Sequence, residues 1–283
     1  MNVACNYYKW SPAGALATWV DEVWVQESDL ADPNTPPTMV MPNGCAELVV
    51  NFGDPFLVHR NGRWTPDPQL SLVGPRTKAS EVRASGKTGF VIVRFFPWAA
   101  GTLLGNTLAD LRDVTCDVAL LFGSAFRDRL TNEVSNAADA YHKTQTVLRF
   151  LTDLMPGVNR GHTQAAVSRV VASRGQKSVT QLADELGISR RSIHRLFDRD
   201  VGLSPKQYAT TMRFQNALHV LRNCQSSLDA ISECGYFDQA HLIHEFRRIT
   251  GITPNHGRIR ARATPLSSFF SSRLSHSYNT PYL

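Results

Sequence analysis

Apolar residues recur at alternate positions through roughly the first hundred residues and at steps of three and four near the C-terminus, so two architectures follow one another along the chain. In Ser178 to Pro205, SVTQLADELGISRRSIHRLFDRDVGLSP, the residues Leu182, Ala183 and Leu186 form an apolar stripe. Ser178 with Gln181 spells a capping box, and Gly187 stands where the helix must stop. Ser189 caps a second helix that buries Ile193, Leu196 and Phe197 and presents Arg190, Arg191, His194 and Arg195. The same grammar returns in Ala230 to Pro254, AISECGYFDQAHLIHEFRRITGITP. Ala230, Ile231 and Cys234 recur at helical spacing, Gly235 turns the chain with positive φ, and Asp238 caps the next helix. That helix buries Leu242, Phe246 and Ile249 and leaves Gln239, His241, His244, Arg247 and Arg248 on other faces. Phe197, Gly202, Ser204 and Pro205 match Phe246, Gly251, Thr253 and Pro254 at identical separations, which makes the pair an internal repeat. Between the two units, Pro205 to Asn223 reads as a connecting helix with Tyr208, Met212, Ala217, Leu218 and Leu221 along one side. At about 1.5 Å per residue it spans roughly 28 Å, and one turn of B-DNA is roughly 34 Å. Two helices held apart by such a spacer can enter successive major grooves on one face of a duplex.

The N-terminal half reads as strands. WVDEVWV sets Trp19, Val23 and Val25 at one parity and predicts a half-exposed strand over Trp19 to Val25. DLADPNTPPT is a loop because its prolines exclude helix. In MVMPNGCAELVVNF, Pro42-Asn43-Gly44 is a turn that favours a hairpin, followed by a strand from Glu47 to Phe52. Further strands are expected at Phe56 to His59, Leu70 to Gly74, around Glu81 to Arg83, and Phe90 to Phe96, with turns such as NGRW and GPRT. Short strands at this spacing suggest a small β-barrel or sandwich. FVIVRFF is its most buried run, and Arg94 inside it needs a partner. A carboxylate such as Glu47 makes Arg94 structural, whereas an inward position makes it the anchor of an anionic effector. After Pro97 the period changes, giving short helices over Ala99 to Leu104, Leu108 to Leu111, Val118 to Phe122 and Ala125 to Leu130. A longer one covers Asp139 to Met155, and this helical half either packs across the sheet or forms a dimer contact.

Charge sharpens the division. Residues 1–159 carry 13 Lys and Arg against 16 Asp and Glu, and residues 160–264 carry 16 against 8. A C-terminal domain this basic fits a polyanion partner, because neutralised phosphates release counterions. No apolar run approaches the roughly 20 residues that span a bilayer, and MNVACNYYKW lacks the regions of a signal peptide, so a cytoplasmic protein is expected. The five cysteines show no metal-ligand spacing with one another or with histidine, so reduced thiols and no bound metal are expected.

The C-terminal repeat resembles the DNA-binding domain of the AraC/XylS family of bacterial transcription regulators, over residues 162–262. Both halves and the spacer helix match, and Gly235, Tyr236, Asp238, Gln239, Phe246, Arg247, Gly251 and Pro254 carry the family signature. His244 departs from it, since members of this subgroup often carry arginine there. MPNGCAELVVNF, LVGP and VRFFPWAAGTLL resemble, more loosely, a domain that precedes the DNA-binding unit in a subset of these regulators. The expected organisation is α+β: an N-terminal sensor or dimerisation domain over 1–155, a linker over 156–161, the all-α DNA-binding domain over 162–262, and a flexible tail over 263–283. The resemblance implies a sequence-specific regulator of promoter DNA, an activator that works with RNA polymerase, forms a homodimer through its N-terminal domain and answers to a small molecule. The alternative keeps the DNA binding and gives the N-terminal domain only dimerisation or protein contact. Base contacts are assigned to Arg191, His194, Arg195, Gln239, His241 and His244, and phosphate contacts to Ser189, Arg190, Lys206, Arg247 and Arg248. Arg94 and Glu47 are the effector candidates.

An enzyme needs a constellation that this sequence does not display. His59, His142 and His162 have no cysteine or carboxylate at an informative spacing, Ser85-Gly86-Lys87-Thr88 is not a full phosphate loop, and Cys5 alone makes no alkyl-transfer centre. No catalytic residue and no cofactor is expected.

Overall fold

The computed structural model describes residues 5–28, 37–154, 161–223, 231 and 233–254. Its N-terminal half is built on two antiparallel sheets rather than a closed barrel. The strands are β1 (Cys5–Trp10), β2 (Val20–Ser28), β3 (Thr38–Val40), β4 (Glu47–Asn51), β5 (Phe56–Arg60), β6 (Arg63–Pro66), β7 (Leu70–Val73), β8 (Ser80–Ala84), β9 (Thr88–Phe95) and β10 (Thr115–Asp117). One sheet runs β1-β2-β9-β4-β7-β10 and the other β3-β8-β5-β6. Helices follow as α1 (Ala100–Leu104), α2 (Thr107–Asp110), α3 (Ala119–Phe122), α4 (Ser124–Asn136) and α5 (Ala140–Leu154).

The six-stranded sheet is a middle layer. Val23, Val25, Leu48, Val50, Val91, Val93 and Phe95 point from one face into a cluster shared with Leu108, Leu130, Val147 and Phe150 of the helices. Trp24, Phe90 and Ile92 point the other way, against Val40, Phe56, Val58 and Val82 of the small sheet. Two buried faces explain why all eight residues of β9 are buried, and why β2 is not the half-exposed strand expected from its alternation. The hairpin expected at Asn43-Gly44 is also absent, since β3 and β4 lie in different sheets. The Asn43 amide serves a different purpose: its Oδ1 accepts from Cys45 N at 2.9 Å, and its Nδ2 donates to Glu47 Oε1 at 2.8 Å. The tight hairpin is instead at Asn61-Gly62, both with positive φ, between β5 and β6.

The C-terminal half consists of α6 (Gly161–Ala172), α7 (Val179–Leu186), α8 (Arg190–Asp200), α9 (Pro205–Asn223) and α10 (Gln239–Thr250). The expected linker lies outside the described residues except for Gly161, as does the whole tail. Of the expected helix around residues 230–234, Ile231, Glu233 and Cys234 are described, all helical.

The halves share a core. The cluster beneath the six-stranded sheet continues through Leu108 and Ala100 to Val170, Ile193, Phe197, Tyr208 and Met212. Gly101 of α1 lies so close to α8 that a Cβ there would sit 2.4 Å from Asp200 Cα, and a Cβ on Gly202 would sit 2.8 Å from Leu108 Cγ. A second contact is made by the segment between β3 and β4. Met41 enters a cluster with Phe214, Leu218 and Phe246, Gly44 packs on the Tyr208 ring, and Gln215 Nε2 donates to Pro42 O. Ala79 N donates to Ile249 O at 2.8 Å. Gly101→Val is therefore expected to force the halves apart at a cost of roughly 1–3 kcal/mol, read as a lower midpoint of unfolding in denaturant. A variant as stable as the wild type would show that this approach is not a close contact.

Candidate nucleic-acid interface

Each unit is built by local signals that the structure satisfies in detail. Ser178 and Gln181 form the reciprocal capping box of α7, and Gly187 ends it in the left-handed conformation. Ser189 Oγ accepts from Ser192 N at 3.1 Å to start α8, and Asp238 Oδ1 accepts from His241 N at 2.7 Å to start α10. Gly235 and Gly251 both have positive φ, which a side chain at either position would strain. The spacer α9 opens with its own capping box, in which Gln207 N donates to Ser204 Oγ and Ser204 N to Gln207 Oε1. It then serves both units in turn. Tyr208 packs tilted against Phe197 at 5.7 Å between ring centroids, and Phe214 against Phe246 at 5.3 Å. One rigid helix thus anchors both α8 and α10 through equivalent phenylalanines.

With these anchors buried, the remaining faces of α8 and α10 carry the donors. Arg190, Arg191, His194 and Arg195 on α8 are exposed, as are Gln239, His241, His244, Arg247 and Arg248 on α10 and Lys206 at the start of α9. Ser189 is exposed too, although its hydroxyl already caps α8. Lys206, His241 and Arg248 come together in a polar cleft of about 410 Å³ between the units, whose wall includes Ser204, Arg213 and Thr77 of the N-terminal half. His241 is held against the Tyr236 ring at 5.2 Å. Its Nδ1 accepts from Phe237 N at 3.3 Å, an arrangement that places the proton of a neutral ring on Nε2, facing outward.

Three further side chains tie α10 to the spacer. Arg213 of α9 donates to both oxygens of Glu245, at 3.2 and 2.7 Å, and Tyr236 Oη donates to Glu245 Oε1 at 2.8 Å. Burial, followed by the Glu245 charge, raises the Tyr236 phenol well above its ordinary range and keeps it a donor. This triad fixes the rotation of α10 on the spacer, and its only sequence signal was a glutamate on an otherwise apolar stripe. Phe237, 91% exposed immediately before the Asp238 cap, presents an apolar ring at the start of α10. Cys234 is the small buried hydrophobe its position suggested. Burial, with the Glu233 charge adding, pushes its thiol up to about 11.

The effector candidates sit elsewhere, between the two sheets. Arg94 Nε donates to Glu47 Oε1 at 2.9 Å, and its Nη1 lies 3.4 Å from Glu22 Oε2. The guanidinium also covers the Trp24 ring at 4.7 Å, and Lys9 pairs with Glu22. Arg94 has its carboxylate partner, and Glu47 additionally lines a cavity between the sheets. Among the described residues, no group of His, Cys, Asp or Glu side chains could hold a metal ion, and no helix is long and apolar enough to cross a membrane.

Two capped helices joined by a spacer, each backed by a phenylalanine and faced with arginine, histidine and glutamine, define a double helix-turn-helix domain. Residues 182–260 match a family described as a helix-turn-helix domain, and residues 8–117 match a domain of unknown function (DUF6597). The HTH-type transcriptional activator RhaS of Escherichia coli is 35% identical over 68 residues, which is 24% of each chain. The chain thus spans about a quarter of the length of the curated relatives it matches. Among solved structures, ToxT from Vibrio cholerae aligns over 90% of this chain and 97% of its own with a TM-score of 0.45 and 10% identity. The AraC-like transcriptional activator CuxR aligns over 76% and 81% with a TM-score of 0.31 and 12% identity. Over its C-terminal part the chain is thus similar to helix-turn-helix transcription regulators such as RhaS.

Proposed function

We propose that this protein is a sequence-specific DNA-binding transcription regulator, an activator whose N-terminal domain answers to a small molecule. The observation that carries the reading is the pair of recognition helices, α8 and α10, packed on one spacer with their polar faces open to solvent. Arg191, His194 and Arg195 in the first unit, and Gln239, His241 and His244 in the second, reach base edges in this reading. Arg190, Lys206, Arg247 and Arg248, with Ser189, meet phosphates. The bound protein acts with RNA polymerase, as a homodimer through its N-terminal half.

Selection of bound sequences from a random DNA pool with the full chain tests this. The expected result is an operator protected across two successive major grooves, with affinity falling steeply as salt rises. Two variants then separate the roles. Arg195→Ala should lose roughly 1–3 kcal/mol of discrimination between the operator and a scrambled duplex. Arg248→Ala, in the cleft near the end of α10, should weaken both alike and reduce the salt slope by about one. A footprint confined to one groove, or no salt dependence, would sink the reading.

A further inference from the structure

The inner face of the six-stranded sheet is buried, yet several of its polar atoms have no partner. Asn51 is 3% exposed; its Nδ2 donates to Pro68 O at 3.2 Å, which fixes the amide, and its Oδ1 is left without a hydrogen bond. Asn51 lines a cavity of about 50 Å³ between the sheets, together with Phe56, Phe90, Ile92 and Val82. Arg76, from the turn between β7 and β8, lines it as well. Burial lowers the Arg76 guanidinium from its ordinary range, against the pull of Glu47 and Asp67.

The charges around the cavity do not balance. Glu47 is taken by Arg94 and Asn43, and Asp67 by Arg60 at 2.5 Å. Arg76 forms no ion pair and no hydrogen bond among the described residues. A half-buried guanidinium without a counter-ion is open to an anion, and it presents two parallel donors that fit one carboxylate. The unpaired acceptor on Asn51 asks for a second group, a hydroxyl that donates. The apolar remainder of the wall admits a short carbon chain, and a cavity of about 50 Å³ limits the ligand to a small one.

We infer that the inter-sheet cavity binds a small hydroxycarboxylate, its carboxylate on Arg76, its hydroxyl donating to Asn51 Oδ1 and its short chain against Phe56 and Phe90. This deepens the proposed control by a small molecule and supplies the chemical class of the effector. The site is also wired to the DNA-binding domain. Thr77, next to Arg76, is tied to Asp113 through N and Oγ1, both at 2.6 Å, and Ala79 N reaches the end of α10 at Ile249 O. A shift of Arg76 toward a ligand pulls on this turn.

Thermal melting of the full chain without DNA tests the site apart from the regulator reading. The probes are lactate, 3-hydroxybutyrate and 2-hydroxyisovalerate, with chloride at matched ionic strength as the blank. At least one should raise the melting temperature saturably, by roughly 5 °C at saturation. Butyrate should bind roughly tenfold more weakly than 3-hydroxybutyrate, and 1,3-butanediol should give no saturable shift. Arg76→Gln should weaken binding by roughly 30-fold or more while melting no lower than the wild type in the absence of ligand, because Arg76 makes no bond there. Arg76→Lys keeps the charge without the fork and should retain weakened binding. Asn51→Ala should erase the preference for 3-hydroxybutyrate over butyrate. No saturable shift with any of the three hydroxycarboxylates, equal shifts with the diol, or undiminished binding by Arg76→Gln overturns the inference. Failure to bind DNA would leave it standing.

Discussion

Phe197→Ala is expected to destabilise the chain by roughly 3–5 kcal/mol, and its effect should reach the opposite end of the molecule. Phe197 is fully buried and belongs to the cluster that runs from α8 through Leu108 to the six-stranded sheet. All five tryptophans, Trp10, Trp19, Trp24, Trp64 and Trp98, lie in the N-terminal half, so their fluorescence reports that half alone. Denaturant unfolding followed by tryptophan emission should therefore move to lower denaturant in Phe197→Ala. Phe246→Ala empties the separate cluster around Phe214, and should lower the helical transition seen by circular dichroism while moving the tryptophan transition less. A tryptophan midpoint unchanged by Phe197→Ala would refute the shared core.

The second large effect is expected at Arg94. Arg94→Met keeps most of the side-chain volume but strips Glu47 and Glu22 of their buried cation, a loss of roughly 3–5 kcal/mol. The loss comes chiefly from stranding Glu47, since Lys9 still reaches Glu22, so Arg94→Met combined with Glu47→Leu should recover part of it. Acidification through the carboxylate range should help the single variant in the same way. A stranded carboxylate has a folded-state pKa above its unfolded value, so stability rises as pH falls through that range. Denaturant midpoints of both variants across a pH series provide the comparison. A single variant as stable as the wild type at neutral pH would mean that the pair is dispensable.

The C-terminal domain was legible because its determinants are local. Ser178, Ser189 and Asp238 cap helices within three residues of themselves, and Gly187, Gly235 and Gly251 turn the chain by their own backbone freedom. The N-terminal strands were partly legible, with β4, β5, β7, β8 and β9 close to where alternation put them. β1, β6 and β10 were missed, since a strand at the edge of a sheet is defined by its neighbour rather than by its own pattern. Asn43-Gly44 misled because its hairpin chemistry is spent on Glu47 and on the spacer helix, partners far away or in another element. For Arg94 the carboxylate alternative could be stated from sequence, but choosing it needed the register that sets Glu47 and Glu22 opposite Arg94 on both neighbouring strands. Arg76, in the turn GPRT, carried no periodic signal at all. The Arg213, Glu245 and Tyr236 triad showed only Glu245 on an apolar stripe, because its members come from different elements.

The shared core also bears on inheritance. Regulators of this layout invite exchange by recombination at the linker, where a new sensor could be joined to an old DNA-binding domain. In this chain such a cut would separate Gly101 from Asp200, Leu108 from Gly202, and Met41 from Phe214, pairs whose shapes are fitted to each other. A graft at the linker inherits half of each pair and leaves Tyr208 and Met212 facing a stranger's surface. The unit that can be traded intact is therefore the whole chain from β1 to α10, and a successful chimaera must carry residues 41–44, 101 and 108 together with the helices they touch.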